Sequence, residues 1–62
     1  MKIKVDDKVK HRDNPRWRGI VTHDLDPTRP VTGRVWVWHT PPHAKHGANF
    51  VMQKSLLRKV EP

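Results

Sequence analysis

The stretch "GRVWVWHT" (33–40) sets Trp36 and Trp38 two residues apart, with Arg34 before them and His39 after. That spacing suits non-covalent chemistry, because an indole face stacks on a planar ring and a guanidinium beside it neutralises phosphate. Base–aromatic stacking of this kind is worth ~1–3 kcal/mol per base. A third indole, Trp17, stands between Arg16 and Arg18, and Lys8, Lys10 and Arg12 precede it. Lys8, Lys10, Arg12, Arg16, Arg18 and Arg34 are therefore the candidate phosphate contacts, with Trp17 and Trp36 as candidate stacking platforms. The competing use of these indoles is packing. A chain of 62 residues with few large apolar side chains can hardly leave both Trp36 and Trp38 in water. The sequence places Trp38, near a strand end, partly under a loop, and Trp36 substantially exposed.

Covalent chemistry has fewer candidates. The chain contains no cysteine, which removes a thiol nucleophile, a disulfide framework and a cysteine-type zinc site. There is no glycine-rich phosphate loop and no Ser-His-Asp order with a strained nucleophile elbow. Asp6, Asp7, Asp13, Asp24 and Asp26 all stand in turn contexts. His39, His43 and His46 are spaced like ligands on a helix, but Pro41 and Pro42 forbid a regular helix there, and their loop has no carboxylate to complete a tetrahedral shell. They read as solvated loop residues that can touch phosphate. Neither catalysis, a bound metal nor a cofactor is expected.

These side chains must be positioned by strands. Pro15, Pro27, Pro30, Pro41 and Pro42 cut the chain into pieces too short for amphipathic helices. What remains alternates apolar with polar: "IKV" and "KVKHR" around a turn at Asp6 and Asp7, then "RGIVTHDL", "RVWVWHT", "NFVMQ" and a short "RKV". Lys54, Ser55, Leu56 and Leu57 suit a single 3₁₀ turn that tucks a leucine under the barrel. Five short strands in one domain spanning 1–62 predict a small barrel. In "RVWVW" Val35 and Val37 share one face and Arg34, Trp36 and Trp38 the other. Trp17 falls at the end of the first long loop, where it either borders a binding surface or caps the open end of the barrel. Gly19 marks a bend or a close backbone approach.

A formal charge of +7 is the footprint of a polyanion binder, although many small basic proteins gain only solubility from it. Basic residues gather toward both ends, and "DLDPTRP" interrupts them. The longest apolar run, 35–38, is far below the ~20 residues of a membrane span, and the first residues lack the apolar stretch of a signal peptide. A soluble cytoplasmic protein without a membrane partner is expected. So short a chain buries about 60% of its unfolded surface, which directs function to an outer face or an oligomer interface rather than an enclosed cavity.

Three resemblances extend this reading. Asp7-Lys8-Val9-Lys10, Gly19-Ile20-Val21 and the segment 56–60 together resemble the SH3-like barrel of KOW and Tudor domains and of many small phage and plasmid proteins. That likeness implies an all-β, five-stranded barrel with one 3₁₀ turn before the last strand. Within it, "VKHRDNPRWRGIVTHDLDP" (9–27) is similar to the opening of the hemimethylated-DNA-binding (heat-shock protein Q) family, with Val9, His11, Trp17, Arg18, Gly19, Val21, Asp26 and Pro27 on the pattern. "DKVKHRDNPRWRG" with "LLRKV" is also similar to the plasmid-borne type II dihydrofolate reductases, tetramers whose pore carries a Val-Gln-Ile-Tyr tetrad. Here Asn49, Phe50, Val51 and Met52 occupy that place, without the glutamine and tyrosine that would contact cofactor and folate. A non-catalytic nucleic-acid-binding module, for DNA or RNA, is the expected function. The alternative is a protein-interaction module, such as a phage or plasmid modulator that binds an acidic surface of a host protein, because Arg and Trp are also enriched at protein hot spots.

Overall fold

Valines at alternate positions build the interior. In the computed structural model, which describes residues 3–60, Val9, Val21, Val35 and Val37 are fully buried, joined by Ile3 and Leu57. Each buried aliphatic side chain is worth ~1.5–3 kcal/mol. The valines come from β1 (Lys8–His11), β2 (Asn14–Asp24) and β3 (Arg34–His39), and the leucine opens β5 (Leu57–Lys59). β4 (Ala48–Gln53) follows β3, and a 3₁₀ turn, Lys54–Leu56, leads into β5. The expected all-β class, the five strands and the single 3₁₀ turn before the last strand are all present.

All pairings are antiparallel and the spatial order is β4-β3-β2-β1-β5. β4 and β5 are the two edges and do not pair with each other, so the sheet is barrel-like without a closed ring of hydrogen bonds. Val21 lies directly opposite Val37, and Val9 directly opposite Gly19. Gly19 is required by this closeness: an added Cβ would run into Cγ1 of Val37 and come within 2.9 Å of the Trp38 carbonyl.

Three local details differ from the sequence expectation. Residues 3–5 form no strand. They lead into a turn at Asp6, whose φ of 74° is left-handed, and hydrogen bonds from the Asp6 amide to the Val21 carbonyl (2.7 Å) and from the Val21 amide to the Asp7 carbonyl (3.0 Å) pin the turn to β2. The first connection is a tight turn at Arg12 and Asp13 rather than a long loop, so Trp17 lies inside β2. β2 also carries a bulge: its register to β3 advances from Val21 to His23 while β3 moves only from Val37 to Trp36, leaving Thr22 as the extra residue.

Lys54 is buried at the start of the 3₁₀ turn. Its ammonium lies 3.0 Å from Oδ1 of Asp24 and donates to the carbonyl of Asp26 at 2.8 Å, which ties the turn to the end of β2. Among the described residues no helix is long and apolar enough to cross a membrane.

Candidate nucleic-acid interface

Since Val9, Gly19, Val21 and Val37 point inward or lie on the inner face, their neighbours in sequence point out. The register then makes two cross-strand rows on the outer face. Lys8, Ile20 and Trp38 form one, and Lys10 and Arg18 form the next, extended on the far side of β1 by Arg58 of β5. Arg16 continues the outward positions of β2, and it is exposed. The Arg18 side chain is tethered, its Nε donating to the Pro15 carbonyl at 2.8 Å, which fixes the guanidinium beside the row.

Lys8, Arg18, Ile20, Trp38, Thr40 and Val60 enclose an open slot of about 300 Å³. Its walls are largely apolar, and among the described residues the charged groups on its lining are the two cations Lys8 and Arg18, with no carboxylate. Ile20 and Trp38 are 42% and 43% exposed. Trp38 leans on the β3–β4 loop at Gly47, where an added Cβ would meet its Nε1 at 2.6 Å.

The structure therefore brings together Lys8, Lys10, Arg16 and Arg18 from the sequence candidates and separates the others from them. Trp17 is on the inner side and half-buried against the core. Its ring stacks on His39 at 4.4 Å and 16°, with His11 edge-on at 6.4 Å and Phe50 edge-on to His39 at 5.9 Å. One face of the Trp17 indole is thus occupied by His39. The ring of His39 is held in turn by the Arg18 carbonyl, 2.7 Å from Nδ1.

The order of Trp36 and Trp38 is the reverse of that expected. Trp36 is half-buried between His23 and Val51 in its cross-strand row, whereas Trp38 is the exposed one although it does touch a loop. Trp36 lines a separate recess with His23, Leu25 and Asn49 that no Lys or Arg borders. Arg12 lies at the β1–β2 turn with its Nε 3.3 Å from Asp13, and Arg34 is joined to Asp26 through its amide (2.9 Å) and Nε (3.9 Å). Neither belongs to the Lys8–Arg18 cluster.

Two contributors, Trp38 and Arg58, are absent from the sequence candidates. The alternation in "RVWVW" already put Trp38 outward, and the choice between the two indoles turned on the Thr22 bulge and on Gly47, neither of which leaves a periodic signal. Arg58 becomes a neighbour of Lys10 only through the β1–β5 pairing, across most of the chain. Among the described residues no three His, Cys, Asp or Glu side chains converge to hold a metal ion. Comparison with protein families, with characterised proteins and with solved structures finds no match to this chain.

Proposed function

We propose that this chain is a non-catalytic nucleic-acid-binding module whose working surface is the outer face of β1 and β2 with the adjoining end of β3. The observation that carries the reading is the sorting of charge. Asp7, Asp13, Asp24 and Asp26 pair with Lys59, Arg12, Lys54 and Arg34 respectively. Eight Lys and Arg form no such pair among the described residues, and five of them, Lys8, Lys10, Arg16, Arg18 and Arg58, lie on one face beside an exposed indole, while Lys4, Arg29 and Lys45 lie outside the strands. A row of cations with no acid paired to it among the described residues, beside an apolar slot, suits a ligand that is both polyanionic and ring-bearing. The resemblance to SH3-like barrels accords with a binding module, and a cytoplasmic setting accords with the ligand.

Salt dependence tests it. Five cations that displace counterions give a slope of log affinity against log salt of about −4.5 on duplex DNA and about −3.5 on a single strand. Replacing Arg16 and Arg18 together by Ala reduces the magnitude of that slope by about two. The measurement is fluorescence anisotropy of labelled oligonucleotides over a salt series, with circular dichroism to verify the fold of the variant. Binding no tighter than that of a scrambled peptide of equal charge would remove nucleic acid as the partner and favour an acidic protein surface instead.

A further inference from the structure

The slot bordered by Lys8 and Arg18 asks for more than a polyanion, since a smooth row of phosphates would leave its apolar walls unused. From its shape we infer that it seats one unpaired nucleobase, stacked against Trp38 over Ile20, with the phosphates on either side of that base held by Lys8 and Arg18. This inference rests on the nucleic-acid reading above and adds to it a preference for single strands or for a base displaced from a duplex.

The geometry argues for this occupant in three steps. Lys8 and Trp38 are opposite Ile20 on its two flanking strands, so their backbones stand two strand spacings apart, roughly 10 Å, with Ile20 as the floor between them. The slot of about 300 Å³ lies at the small end of the roughly 300–1,000 Å³ range of ligand sites, which suits a single ring system and not a long chain. The charged donors of Lys8 and Arg18, the Thr40 hydroxyl and the Trp38 indole N–H are the polar groups on the lining side chains, and the remaining side chains, Val9, Ile20 and Val60, are apolar. A nucleotide matches that order of parts: an uncharged π-face in the middle and anionic oxygens to the sides. Paired bases inside a duplex are covered on both faces by their neighbours, so the indole reaches a base only when it is unstacked.

Trp38 is also held in readiness. It packs against Gly47 with no room for a Cβ, and Thr40 is equally close to that glycine at 2.7 Å from the same point. Arg18 is fixed through Pro15. Less side-chain freedom is therefore lost when a base enters. The recess beside Trp36 has an indole but no cation, and one face of Trp17 is covered by His39. Among the three indoles, Trp38 alone combines an open face with flanking positive charge.

The test compares two ligands with the same phosphates: a short oligothymidylate and a strand of equal length made of abasic residues. The full chain is expected to bind the oligothymidylate roughly tenfold to a hundredfold more tightly, at one salt concentration and with similar salt slopes. Trp38→Ala is expected to abolish that ratio while leaving binding of the abasic strand unchanged, and Trp38→Phe to retain part of it. An NMR titration of the unsubstituted protein with oligothymidylate provides a reading independent of folding defects: the ring resonances of Trp38 shift upfield and those of Trp36 and Trp17 do not. Equal affinity for the two strands with a steep salt slope would overturn the base slot and leave the phosphate-binding function standing. Failure of both strands to bind above the charge-matched peptide would overturn the two together.

Discussion

At Gly47 an added Cβ would lie 2.6 Å from Nε1 of Trp38 and 2.7 Å from Oγ1 of Thr40, two groups that line the slot. Neither atom can stay in place, so Gly47→Ala is expected to displace the indole. Affinity for oligothymidylate then falls roughly three- to tenfold, while the salt slope, set by Lys8, Lys10 and the arginines, is unchanged; anisotropy titrations read both quantities. Lys54 gives the second residue-scale prediction. Its side chain is 2% exposed and that of Asp24 is 20% exposed, so Lys54→Met strands a largely buried carboxylate. The expected cost is about 3 kcal/mol, near the lower end for a broken buried pair, and it consumes much of the stability available to a domain of this size. Urea unfolding measures it, and adding Asp24→Leu to Lys54→Met should recover part of the loss. Neither residue's role was legible in the sequence. Lys54 counted simply as part of a 3₁₀ turn, because its partners lie 28 and 30 residues away, and only the folded topology joins them. The outward side of Arg34, Trp36 and Trp38, by contrast, followed from strand alternation alone.

β3 is the element on which the rest depends. It pairs with β2 on one side and β4 on the other, and it contributes two of the four fully buried valines. Val37→Asp is expected to unfold the domain, since an unpaired carboxylate would occupy the centre of a minimal core; Leu57→Asp should do the same from β5. Loss of the β-sheet signal and of the thermal transition in circular dichroism is the readout. Amide exchange should rank the strands in the same way, with β3 the most protected and the outward-pointing amides of β4 exchanging early, because β4 is an edge. These strands were readable because alternation of valine with polar groups is a strong local signal. The Thr22 bulge was not. A regular strand would carry His23 to the inner face, yet the extra residue turns it outward beside Trp36. No glycine or proline marks the site, and the bulge follows from matching two strands that are remote in sequence. The tight turn at Arg12 and Asp13 was hidden by Pro15, which reads as a strand breaker and here sits inside β2.

For the whole molecule, the likeness to type II dihydrofolate reductases makes a defined prediction. Asn49, Phe50, Val51 and Met52 form most of β4 and include neither the glutamine nor the tyrosine of that tetrad, so no dihydrofolate- and NADPH-dependent absorbance change is expected. A rate that disappears on changing Phe50 or Val51 would reverse this conclusion. The pairing of four aspartates with cations other than those of the β1–β2 face has a consequence in time rather than in affinity. On the proposed reading, a chain of charge +7 with five of its unpaired cations on one face meets a polyanion in a preferred orientation, so encounters are expected to be fast and to slow markedly as salt is added. If the slot holds a base as proposed, departure is governed by different atoms, because escape requires that base to leave Trp38. Salt should therefore act chiefly on the rate of arrival, and Trp38→Ala chiefly on residence time. On the same reading, a protein held by its cations with the slot empty is expected to move along the strand, testing one base after another until one that is free to unstack comes to rest.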